Sequence, residues 1–238
     1  MQISFFSPRR ARITSACVPP LVLSVFGAFL ATPAAEASSV AVVYFSQYDN
    51  VAPEALAALQ REPPERIDAR SGASLAAPGL VGLVARWSAA ALRTEPRPIV
   101  VRDPYDADYR VCLARVEEER ETQARPPLAE RTRAAAQAVR EADRIVLAVP
   151  NWGYTLPAGV RRFLEENASA FAGKTVAPIV VHGTGGLAGT IDALRADLPG
   201  VRVLDALSLT REEVRGARET VEHYVERSVA GKSGPSAP

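Results

Sequence analysis

The folds open to this chain are limited most by an alternation. Short β-branched, apolar runs take turns with segments whose apolar residues recur at helical spacing. The runs are VAVVYF (40–45), RPIVVR (97–102), DRIVLAVP (143–150), KTVAPIVVHG (174–183) and VRVLDALSL (201–209). Between and after them lie GLVGLVARWSAAAL (79–92), DADYRVCLARVEEERETQ (106–123), PLAERTRAAAQAVREA (127–142), PAGVRRFLEEN (157–167), GLAGTIDALRADL (186–198) and REEVRGARETVEHYVERS (211–228). Near-continuous apolar strands separated by amphipathic helices indicate a parallel sheet covered on both faces. Five strands predict a doubly wound, three-layer α/β/α fold of order 2-1-3-4-5, whose ligand lies above the carboxyl ends of the strands at the switch point.

The segment before the first run reads as an export signal over residues 1–37. Arg9, Arg10 and Arg12 precede an apolar stretch from Cys17 to Ala31, and Ala35-Glu36-Ala37 supplies a small-residue cleavage pattern. The apolar stretch is short for a bilayer span, so a retained transmembrane helix is the lesser reading. The Arg9-Arg10 pair partly matches a twin-arginine signal. Cys17 stands at the start of the apolar stretch and not after it, which argues against a lipid anchor. The expectation is an exported, periplasmic or secreted, protein with no stable membrane span after cleavage. Without the first 37 residues, 25 basic side chains face 26 acidic ones, so bulk charge predicts no nucleic-acid partner. Cys112 is then the only cysteine, cannot form an internal disulfide, and reads as a packed thiol. A polar tail over 229–238 is expected to be disordered.

Three strand-end loops have informative compositions. After the first run, Ser46 opens a long irregular stretch from Gln47 to Pro78, in which PEALAALQ can form a short helix. After the third comes Pro150-Asn151-Trp152-Gly153-Tyr154-Thr155, and after the fourth His182-Gly183-Thr184-Gly185-Gly186. Glycines between a strand and a helix let backbone N–H groups approach a ligand closely.

VAVVYFS, VPNWGYTLPAGVRRFLE, FAGKTVAPIVVHGTGGLAG and PGVRVLDALSL together resemble the flavodoxin-like family of FMN-binding proteins. The similarity runs from Val40 to about Ser228 and points to the subgroup with an insertion before the phosphate-binding loop. The resemblance implies a protein that binds FMN non-covalently and transfers electrons. In the family a Gly-Asn-Thr after the first strand clasps the phosphate. Here Ser46 and Gly79 match, with the insertion over 47–78, but Leu80 and Val81 replace Asn and Thr. A second alignment puts Tyr48-Asp49-Asn50 in that corner, with Asp49 repelling phosphate. Loss of the Thr hydroxyl leaves backbone N–H groups and a helix N-terminus to attract the anion.

By the same resemblance, Trp152 would lie against the isoalloxazine, with a buried core tryptophan as the plain alternative. Pro150, Asn151, Gly153, Tyr154 and Thr155 would border the ring, Tyr154 being equally an exposed loop aromatic. Gly183, Thr184, Gly185 and Gly186 would aim N–H groups at the pyrimidine carbonyls. His182 is a candidate for proton control, though no residue is a convincing catalytic group. Ser71, Gly72 and Ser74 could fold over the cofactor or be plain loop, and Glu117–Arg120 reads as a solvated helix face.

Three other functions are weaker. Gly183-x-Gly185-x-x-Ala188, with Asp205 about 20 residues on, approaches a dinucleotide fingerprint but sits on the fourth strand with one helix to follow. No Gly-x-Ser-x-Gly elbow and no spaced Cys/His set occurs, which removes the usual serine hydrolase and metal centres. The remaining alternatives to an electron carrier are an FMN-dependent NAD(P)H or quinone reductase and a flavodoxin-shaped module that has lost FMN. The redox partner, protein or small molecule, is not named by the sequence.

Overall fold

The first strand, β1 (Val40–Tyr44), lies inside the sheet, between β2 (Pro96–Pro98) and β3 (Arg144–Pro150). β4 (Thr175–His182) follows β3, and all pairings are parallel, in the order 2-1-3-4-5. The computed structural model describes residues 39–63, 66 and 74–229. The export signal, Ser71, Gly72 and the C-terminal tail beyond Val229 lie outside them. Among the described residues no helix is long and apolar enough to cross a membrane.

The helices are α1 (Pro53–Leu59), α2 (Leu80–Leu92), α3 (Tyr109–Glu121), α4 (Arg133–Glu141), α5 (Ala158–Glu166), α6 (Ala168–Phe171), α7 (Thr190–Asp197) and α8 (Arg218–Ser228). Side chains alternate across a strand, so each apolar strand supplies two cores. Val43, Ile145, Leu147, Val149 and Val180 pack on one face with Val139, Val160, Phe163 and Leu194. Val42, Val146, Ala148, Ile179 and Val181 pack on the other with Val84, Ala85, Val221 and Val225. Each of the Val, Leu, Ile and Phe side chains among these is worth about 1.5–3 kcal/mol when fully buried.

Two strands differ from the sequence expectation. The second begins at Pro96 and keeps its ladder to Ile99, whose N–H donates to Tyr44 O, while Val100 and Val101 leave it. Their N–H groups are taken up instead by the Thr132 hydroxyl and by the Asn50 side chain. The fifth run is broken into β5 (Arg202–Val203) and β6 (Leu207–Thr210), both paired with β4. The register runs from Val176↔Val203 to Ile179↔Leu207, so the edge strand carries one extra residue there. That bulge lies opposite Pro178, which has no N–H to donate. The Tyr224 hydroxyl lies 3.0 Å from Pro178 O and 2.9 Å from Asp205 O, filling the gap in the ladder.

Candidate functional site

The chain leaves β1 at Ser46, which is 1% exposed, and turns at once through a short 3-10 helix at Tyr48–Asn50. Asn50 holds that turn. Its Nδ2 donates to Ser46 O (2.9 Å) and Ile99 O (3.0 Å), and its Oδ1 accepts from Val101 N (2.8 Å). The chain returns at Gly79, with φ +77° and ψ 152°, immediately before α2. A Cβ on Gly79 would stand 2.7 Å from Tyr48 Cβ and 3.0 Å from Ser74 O. The two stretches that the sequence offers as alternative phosphate corners therefore form one corner together. No side chain caps α2, so its first N–H groups lack partners inside the helix and attract an anion.

One carboxylate competes for that corner. Ser46 Oγ donates to Asp49 Oδ2 (2.6 Å), and Asp49 N returns a bond to Ser46 Oγ (3.1 Å). The Ser46 hydroxyl, expected at the phosphate, is thus committed to Asp49. Asp49 Oδ2 lies 4.0 Å from where a Cβ on Gly82 would be, in the first turn of α2. Tyr44 also hydrogen-bonds Asp49, and burial together with that carboxylate pushes the Tyr44 phenol well above its ordinary range.

At the other end, the loops after β3 and β4 bind each other. Trp152 and Thr155 exchange two backbone hydrogen bonds of 3.1 Å across Gly153 (φ +58°) and Tyr154 (φ +63°), as in a type I′ turn. Asn151 Nδ2 donates to Gly186 O (2.9 Å), and Gly189 N donates to Tyr154 O (3.0 Å). Trp152 stacks edge-on against Phe45 (5.3 Å) and Tyr105 (5.0 Å), in the core but with a surface on the cavity. The projecting aromatic is Tyr154, 66% exposed, whose ring carbons lie 3.0 Å from where a Cβ on Gly185 would be.

His182 is fully engaged. Gly186 N donates to its Nδ1 (3.2 Å), so the neutral ring carries its proton on Nε2, which faces Ser208 Oγ at 3.0 Å. Nδ1 thus ties the ring to its own loop, and Nε2 ties it to β6. Gly186 spends its own N–H in the same contact, so of the loop glycines it does not offer an N–H to a ligand.

α3 closes the site, started by Asp108, whose carboxylate accepts from Arg110 N and Val111 N. The Glu117–Arg120 stretch is not wholly a solvated face. Glu119 is 8% exposed, accepts from the Tyr105 hydroxyl (2.8 Å) and pairs with Arg115 (2.8 Å). Burial and that carboxylate hold the Tyr105 phenol above its usual range. Cys112 faces the cavity but is 6% exposed, and desolvation pushes its thiol up to about 12, so it is unreactive.

These elements surround a cavity of about 580 Å³, inside the range of about 300–1,000 Å³ usual for ligand and cofactor sites. It brings together Ser46, Leu80, Val81, Pro150, Asn151, Trp152, Gly153, Tyr154, His182, Gly183, Thr184 and Gly185. Gly79 precedes Leu80 without lining the cavity itself, and Thr155 opens on a neighbouring cavity of about 240 Å³ lined by Arg120, Arg125 and Arg161. Sequence reasoning missed Tyr109, Glu117, Arg120 and Arg211 on the walls. For Arg211 the available signal was its position just beyond the carboxyl end of an edge strand. No group of three or more metal-ligating side chains occurs among the described residues.

The sequence profile of a family described as NADPH-dependent FMN reductase matches residues 72–214. Among solved structures, a protein assigned as a flavoprotein from Bacteroides uniformis is 21% identical, with a TM-score of 0.53 over 80% of this chain and 99% of its own. A similar assignment from Bacteroides eggerthii shares 18% identity with a TM-score of 0.49, over 77% of this chain and 98% of its own. A Lactobacillus acidophilus flavoprotein solved in complex with FMN shares 14% identity with a TM-score of 0.49, over 76% and 98%. No curated protein matches the chain in sequence.

Proposed function

The chain belongs to the NADPH-dependent FMN reductase family, within the flavodoxin-like fold and with FMN as cofactor, and we propose that it is an exported FMN-dependent oxidoreductase. The observation that carries this reading is one cavity with two different ends: an uncapped helix N-terminus at the first strand and a glycine loop at the fourth.

The residues fit FMN at both ends. Gly79 lets Tyr48 and Ser74 pack against the chain where it enters α2, and Leu80 and Val81, at the first turn of that helix, line the cavity where the family places Asn and Thr. The phosphate is held there by backbone N–H groups and the helix dipole, without a Thr hydroxyl. At the far end, Gly183, Thr184 and Gly185 border the ring together with Tyr154, and a buried Arg211 Nε without a partner points to an acceptor on the ligand. FMN, when bound, would supply the redox chemistry. The chain binds it, orients it and keeps water from it with Trp152 and Tyr154. Export rests on the arginines and apolar stretch that precede Ala37 in the sequence.

Purified protein is expected to be yellow and to release a phosphate-bearing flavin on heating. Anaerobic NADPH is expected to bleach it directly. A flavin that NADPH does not bleach marks an electron carrier served by protein partners. A colourless protein that leaves the fluorescence of added FMN unquenched refutes the reading altogether.

A further inference from the structure

Arg211 is placed with unusual constraint for a residue outside the regular elements. It follows the last residue of β6, and its N–H donates to His182 O (2.9 Å), extending the parallel pairing by one step. That bond sets its side chain against the loop after β4. The guanidinium Nη2 lies 2.9 Å, and Cζ 3.4 Å, from where a Cβ on Gly183 would stand, so a side chain there would push the guanidinium from its place. The side chain lines the cavity. Its Nε is buried and has no hydrogen-bond partner. None of the ion pairs among the described residues involves it.

A guanidinium donates in a rigid planar fork, and a buried N–H left unpaired is costly. The arrangement makes sense with an acceptor pair in the cavity. Resting on the FMN reading, we propose that Arg211 binds the pyrimidine edge of the flavin, where a ring nitrogen and a carbonyl oxygen lie side by side. It then holds the negative charge that reduction places there. A hydride brings one proton and two electrons, so the neutral oxidised ring becomes an anion while the pyridine nucleotide leaves with one more positive charge. A fixed cation at that edge favours the reduced state by acting on charge that the oxidised ring does not carry.

The test compares wild type with Arg211→Met, Arg211→Lys and Gly183→Ala, all loaded with FMN. Sulfite adds to oxidised flavin to give an anionic adduct, so its dissociation constant reports positive charge at this edge independently of turnover. Arg211→Met is expected to weaken sulfite binding at least tenfold. The ratio of reduced to oxidised FMN affinity should fall by a similar factor, lowering a two-electron potential by about 30 mV. Arg211→Lys keeps the charge without the fork and should recover most of the sulfite affinity. Gly183→Ala keeps the arginine but displaces it, and should reproduce the loss; it also serves if Arg211→Met does not fold. Sulfite affinity and the reduced-to-oxidised affinity ratio both within twofold of wild type in Arg211→Met and in Gly183→Ala overturn the proposal while leaving FMN binding standing. A wild type that binds no FMN overturns both.

Discussion

Replacing Asn50 by alanine should unfold the turn that shapes the phosphate corner. Asn50 is 1% exposed and serves three backbone groups: Ser46 O, Ile99 O and Val101 N. Truncation leaves all three buried without partners, at about 1–3 kcal/mol each. A water entering the vacated space can serve one or two of them. The expected loss is therefore about 3–5 kcal/mol, a large part of the roughly 5–15 kcal/mol of an ordinary domain. With a urea slope of about 1–3 kcal/mol per molar, the unfolding midpoint should fall by about 2 M. Asn50→Asp is the sharper companion, since it keeps the shape and the acceptor for Val101 but turns a carboxylate oxygen toward two carbonyls. It should be at least as destabilising at neutral pH. Because Tyr105 N also donates to Asn50 O (2.7 Å), the damage should reach the wall of the site, and FMN affinity should fall about tenfold, by roughly 1.4 kcal/mol. An Asn50→Ala protein within about 1 kcal/mol of wild type would refute the claim that these bonds hold the corner.

Gly79→Ala puts a side chain into a backbone region nearly exclusive to glycine, at about 1–3 kcal/mol, and against Tyr48 and a backbone oxygen. About 3 kcal/mol should be lost in urea unfolding; a neutral result means that the backbone there differs. Asp49→Asn removes a negative charge beside the first turn of α2, and FMN should bind about five- to tenfold tighter by fluorescence quenching, a gain of about 1 kcal/mol; equal or weaker binding argues that the carboxylate stands clear of the phosphate. Alkaline pH should destabilise the fold. Tyr44, Tyr105, Tyr224 and Cys112 all have pKa values raised in the folded state, chiefly by burial. Raised values mean that the folded state holds protons the unfolded state gives up. Their contribution is intact below the unfolded pKa and declines as pH rises, for Cys112 between about 9 and about 12. Urea midpoints measured from about pH 8 upward should fall once pH passes about 9, and a flat profile contradicts this.

The fold was legible because its strands are buried on both faces. Runs such as RIVLAVP and TVAPIVVH have one reading as sheet, and the helical period between them fixes the connections. Less legible was everything set by distant partners. Ile99–Val101 looks like strand by composition, but Thr132 and Asn50 take the N–H groups of Val100 and Val101 from the ladder. Pro178 breaks the pairing of an edge strand nearly thirty residues later in sequence. The glycine loop was identified, but its histidine was not seen to be consumed by Ser208 and Gly186, because those contacts exist only once β4 and β6 lie side by side. Arg211 escaped for the same reason: helical periodicity after it drew attention to α8.

The two ends of the cavity are built on opposite principles, and this bears on how FMN is gripped. The ring end is cross-linked before any ligand arrives. Asn151 reaches Gly186, Tyr154 O receives Gly189 N, and His182 fastens its own loop to β6. Such a site loses little conformational freedom on binding, so its contacts count toward affinity almost in full. The phosphate end is assembled from two segments far apart in sequence, and a carboxylate sits where an anion must approach. Charge there works against the ligand while backbone dipoles work for it. Affinity should accordingly depend more on the ring than on the phosphate. Riboflavin, which lacks the phosphate, should bind within about tenfold of FMN, a difference of about 1.4 kcal/mol or less. A preference for FMN of about a thousandfold in parallel titrations would show that α2 and Gly79 dominate and that Asp49 moves aside.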